Sequence, residues 1–146
     1  MAIAPLPDTA YWRAWQAPAK GLLRWDGVDA LLEVLTASGG DWFVFDLGAP
    51  PPEAPVQDLA PVLEQLREMY APLRSRSYCG TVYVDDAQAP RLVRFFDPYQ
   101  MGASCGSSGE RVWPRLALSR LRPDALPEPE PVPKPGFWGR LGGFAR

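Results

Sequence analysis

One stretch of this 146-residue chain concentrates side chains that could do chemistry: Ser104-Cys105-Gly106-Ser107-Ser108-Gly109-Glu110-Arg111. A thiol and a guanidinium separated by five small or polar residues can wrap successive backbone N–H groups around an anion. The same positive surroundings would favour the thiolate over the thiol. The second cysteine, Cys79, begins an extended run, and Asp97 ends another. If those two runs pair as a hairpin, Cys79, Asp97, Ser104, Cys105, Ser107, Ser108 and Arg111 converge at one sheet edge as a ligand or partner loop. The competing reading is a glycine-rich turn with two small buried cysteines, since free cysteine is so often a core residue.

The Cys-x5-Arg spacing resembles the phosphate loop of the cysteine phosphatases, which implies a thiolate nucleophile above an anion nest. Three departures restrict the resemblance to spacing. Ser104 stands where that family places a histidine, and Val112 stands where it places a hydroxyl. Asp97-Pro98 also ends the preceding strand several residues too early.

The chain contains no histidine at all. That removes Ser-His-Asp and Cys-His catalysis in their usual forms, together with the paired-histidine zinc motifs. It also removes the side chain that most readily exchanges protons near neutral pH. Two thiols fall short of a four-ligand zinc site, and no P-loop or dinucleotide fingerprint is present. No cofactor is expected.

The elements that would position the loop can be read from periodicity. Thr9 to Trp15 predicts a short helix with Asp8 as N-cap, ended by Pro18. Val28, Leu31, Leu32 and Leu35 form the apolar stripe of a second helix, capped by Asp26 and stopped by Gly39-Gly40. Trp42 to Leu47 predicts a central strand covered on both faces. After a proline-rich connector, Leu59, Val62, Leu63, Leu66, Met69 and Tyr70 mark a third helix, with Asp58 as cap and Pro61 in its first turn. Residues 79–84 and 91–96 predict an antiparallel hairpin, with Val84 opposite Arg91 and hence Cys79 opposite Phe96. Trp113 to Leu121 reads two ways. Pro114 suits a first helical position, whereas Leu116 and Leu118 alternate as in a strand, and the helix is preferred.

The expected fold is therefore α+β: a small three- to four-stranded sheet with an antiparallel hairpin, packed by two to three helices, plus a Pro-rich C-terminal tail. A single globular domain is expected over 1–122. Residues 123–135 form a proline spacer of about 40 Å at roughly 3.1 Å per residue. Residues 136–146 are aromatic and basic. There, Phe137, Trp138, Arg140, Leu141 and Phe144 could dock on a partner groove or, weakly, on an anionic membrane surface. Burying those apolar groups would gain about 12–15 kcal/mol. Ordering about ten residues at about 1.5 kcal/mol each offsets that gain, so the segment needs a second contact to hold.

Lys and Arg number 15 against 17 Asp and Glu, giving a net charge of −2, and outside the tail the two signs are interleaved. Nucleic acid is thus a disfavoured partner. No transmembrane span is expected, because no apolar run approaches the required length. Residues 1–7 lack the features of a secretory signal, which points to the cytoplasm with reduced thiols. The function expected is that of a non-enzymatic accessory or adaptor protein, binding another protein through the 97–111 loop, the tail or both. The alternative is a thiol-dependent enzyme or redox sensor using Cys105.

Overall fold

The computed structural model describes residues 6–76, 79–97 and 113–126. They form an α+β fold with three helices and one antiparallel five-stranded sheet. The helices are α1 (Ala10–Gln16), α2 (Trp25–Ala37) and α3 (Ala60–Tyr70). The strands are β1 (Lys20–Leu22), β2 (Phe43–Asp46), β3 (Val82–Val84), β4 (Leu92–Phe95) and β5 (Leu116–Ser119), in the spatial order β1-β3-β4-β5-β2. A consecutive meander, β3-β4-β5, lies in the middle, and the two earlier strands close its edges.

The two faces of the sheet are buried by different helices. Leu22, Val44, Val82, Val84, Val93, Phe95, Leu116 and Leu118 point to one side. There they meet Val28, Leu31, Leu32 and Leu35 of α2 and Val62, Leu63, Leu66 and Tyr70 of α3. On the other side Phe45, Leu92 and Ala117 pack under Tyr11, Trp12 and Trp15 of α1, with Trp113, Leu121 and Leu126 around them. At seven residues α1 is too short to hold a helix alone. Its tryptophans supply the stability, with the Trp12 ring edge-on to Trp15 and to Trp113 at 5.3 and 5.9 Å.

The helix stripes and stops follow the sequence, while the caps are displaced. Thr9, not Asp8, caps α1: its hydroxyl accepts from the Trp12 N–H and donates to Asp124. Arg24 precedes α2 without a side-chain cap, and Asp26 lies inside the first turn, accepting from the Gly27 N–H. Asp58 accepts from the Ala60 N–H one residue outside the Leu59 cap, and Pro61 sits in the first turn as expected. Gly39 (φ +82°) ends α2.

Four features of the sheet differ from expectation. First, it has five strands rather than three or four. Lys20-Gly21-Leu22 has little strand character, yet it pairs with β3 because Gly21 leaves room for the Tyr83 ring. A Cβ on Gly21 would lie 2.9 Å from that ring. Second, residues 116–119 are a strand and not a helix. All four are buried because both faces of the sheet are covered at β5, so the pattern carries no polar phase. Third, β2 is covered on both faces but stands at the sheet edge, held by β5 and by a bridge from Trp42 to Val56. Fourth, the β3–β4 register is two residues out: Val84 opposes Val93 and Val82 opposes Phe95. The turn explains this shift. Asp85 accepts from the N–H groups of Arg91 and Leu92, and Asp86 from those of Gln88 and Ala89, so the loop claims Arg91 for itself.

Candidate functional site

The sheet edge at which β4 ends and β5 begins carries a buried polar cluster. Cys79 enters it through Gly80, whose φ of +77° turns the chain so that the N–H groups of Cys79 and Gly80 donate to the carbonyls of Leu23 and Leu22. The half-buried Cys79 Sγ lies 3.3 Å from the Thr81 hydroxyl. Thr81 is itself buried, and its carbonyl accepts from the Phe96 N–H. From below, the last residue of α3, Tyr70, donates its hydroxyl to the Phe96 carbonyl at 3.0 Å. Burial pushes the Tyr70 phenol well above its usual range. A hydrogen bond from Thr81 acts the other way, and the charges of Cys79 and Asp97 add to the upward shift. In its neutral form the phenol is the donor to the Phe96 carbonyl.

Asp97 and Arg115 follow on the same edge, each only 7% exposed. Burial lowers the Arg115 pKa, and the charges of Asp46 and Asp97 oppose that shift. The Arg115 backbone ties three strands together: its N–H donates to the Phe95 carbonyl, and its carbonyl accepts from the Leu47 N–H. Two residues earlier, the half-buried Trp113 packs against Trp12 and Trp15. Arg94 stacks on the same group, its guanidinium 5.2 Å from the Trp15 ring centre.

Cys79 and Asp97 thus both lie within electrostatic reach of the Tyr70 phenol, Cys79 ahead of β3 and Asp97 beyond the end of β4. Ser104, Cys105, Ser107, Ser108 and Arg111 lie outside the described residues, as do Phe137, Trp138, Arg140, Leu141 and Phe144 of the tail. Topology does locate the roots of the 98–112 segment. It joins β4 to β5, two strands that pair directly, so it leaves from and returns to neighbouring positions. Asp97 at the first root is buried; at the second, Trp113 is half-buried and Arg115, two residues on, is buried.

Sequence reasoning missed Tyr70, Thr81, Arg115 and Asp46. Thr81 was within reach, since it lies only two residues from Cys79 in the predicted strand. Tyr70 was absorbed into the apolar stripe of α3. Arg115 carried no signal while residues 113–121 read as a helix. Among the described residues no group of three or more metal-ligating side chains gathers, and no helix is long and apolar enough to cross a membrane. Comparison of the chain with protein-family models, with curated proteins and with solved structures finds no match in any of the three.

Proposed function

We propose that this protein is a non-enzymatic adaptor of the cytoplasm that binds a partner protein through residues 97–111, with the aromatic-basic tail as a second contact. The observation that supports this reading is the placement of the long β4–β5 connection. Directly paired strands need only a short turn, and connections longer than about 12 residues in compact domains are usually functional or linkers. Here one end is anchored by the buried Asp97 and the other by the half-buried Trp113 and the buried Arg115, which gives a recognition loop a firm base.

Affinity capture from the native host tests the proposal, with full-length protein, a Cys105→Ala/Ser107→Ala variant and a chain ending at Leu126. The expected result is a captured partner that the double variant loses, while its melting temperature stays within about 2 °C of the parent. Loss of the tail should weaken capture. A variant that loses stability yet still captures the same partner would refute the loop assignment.

A second reading, a thiol-dependent enzyme or redox sensor using Cys105, draws on Cys79. That thiol sits at the edge from which the 98–112 segment departs, beside the Thr81 hydroxyl. Alkylation rates at neutral pH separate the two: a Cys105 far more reactive than a free thiol favours the sensor, and an inert one favours the adaptor.

A further inference from the structure

A second surface, remote in sequence from that loop, has its own logic. β1 stands at the end of the sheet and is hydrogen-bonded to β3 on one side only, so among the described residues its outer edge has no strand neighbour. Immediately after it comes Leu23, 60% exposed and the one exposed large apolar side chain among the described residues. Between β1 and the first turn of α2 runs an open groove of about 500 Å³, lined by Lys20, Gly21, Leu23, Arg24 and Asp26 among others. Its charged lining is Lys20, Arg24 and Asp26, a net positive balance in which Asp26 sits 3.2 Å from the Arg24 guanidinium and Lys20 has no ion pair among the described residues. The start of α2, which has no side-chain cap, adds its positive dipole end to the same place.

We propose that this groove takes an extended acidic peptide of a partner protein, added beside β1 as a sixth strand. An apolar side chain of the peptide covers Leu23, and its carboxylates approach Lys20 and Arg24. Strand addition suits an edge whose backbone groups are available on one side, with side-chain pockets supplying selectivity. Lysine on a short edge strand guards against pairing between like edges. A second copy of this chain would bring two Lys20 and two Arg24 together, whereas an acidic strand meets them with opposite charge.

The test uses isotope-labelled full-length protein titrated with a capped Glu-Val-Glu-Leu-Glu peptide and with its Lys-Val-Lys-Leu-Lys counterpart. The acidic peptide is expected to shift the amides of residues 20–27 and to bind less tightly as salt rises from about 0.05 to about 0.3 M. Leu23→Asp should weaken it about tenfold, the loss of one leucine-sized contact. Lys20→Glu/Arg24→Glu should weaken it at least as much, and all three positions are exposed enough for the fold to survive. The proposal fails if the acidic peptide does not bind at about 1 mM, if its shifts map elsewhere, or if the lysine peptide binds equally well. Concentration-dependent self-association abolished by Leu23→Asp would assign the edge to a second copy and overturn it. Shifts of the same amides on Glu128→Lys/Glu130→Lys substitution in peptide-free protein would put the chain's own acidic segment in the groove and likewise overturn it.

Discussion

Tyr70 and Tyr11 carry their hydroxyls into the interior from opposite faces of the sheet, and they meet different fates. Tyr70 donates to the Phe96 carbonyl, while the Tyr11 hydroxyl finds no hydrogen-bond partner among the described residues. Burial raises both phenols far above their ordinary range. For Tyr11 the charge of Arg94 opposes the shift and that of Asp124 adds to it. A phenol whose folded pKa exceeds its unfolded value contributes stability that is complete below the unfolded pKa, about 10, and lost as pH climbs above it. Stability is therefore expected to fall on the alkaline side. In a spectrophotometric titration two of the five tyrosines should stay silent until the protein unfolds. Smooth ionisation of all five in folded protein would contradict the burial of both rings.

At the scale of elements, the joint between α2 and the end of β5 is made by one side chain. Arg120 donates to the carbonyls of Gly40 and Ser38 and stacks on the Trp42 ring, 4.2 Å from its centre. Trp42 in turn donates its indole N–H to the Ser38 hydroxyl. A planar fork that bonds two carbonyls while lying on an aromatic face cannot be reproduced by an ammonium group. Arg120→Lys is accordingly expected to lower stability by about 1–2 kcal/mol in urea denaturation, despite the unchanged charge. A change near zero would show that the joint rests on Trp42 burial alone. None of this was legible beforehand, because Arg120 fell in a segment read as a helix. The apolar stripes of α2 and α3 were legible, since a 3.6-residue period is written into consecutive side chains and needs no partner to be recognised.

For the whole molecule, the domain's contacts continue past the point where the composition changes. Asp124 accepts from the Thr9 hydroxyl at 2.6 Å, and Leu126 packs among the tryptophans that hold α1. A chain ending at Arg122 is therefore expected to be less stable than one ending at Leu126 by about 1–3 kcal/mol. The Leu126 form should match full length within about 0.5 kcal/mol. Equal urea midpoints for both truncations would mean that the 123–126 contacts contribute nothing. The two faces of the sheet also differ in what holds them: aliphatic stripes from α2 and α3 on one, and a tryptophan cluster over α1 on the other.

The amino-acid sequence alone determined the α+β class, the three helices with their stops, the β3–β4 hairpin, and the lack of imidazole that narrows the available chemistry. Each is local: a stripe repeats within a few residues, a proline or glycine acts where it stands, and an absent residue is absent everywhere. Tertiary structure decided what depends on neighbours distant in the chain. β1 is a strand because β3 offers it an edge and Gly21 makes room for Tyr83. β5 is a strand because β4 and β2 flank it and both of its faces are covered. The Asp85 and Asp86 carboxylates set the hairpin register by capturing loop N–H groups, and that register brings the Thr81 carbonyl to the Phe96 N–H beside Cys79. Pairing partners, register and the company of a buried charge follow from which surfaces meet, and a linear pattern does not record that.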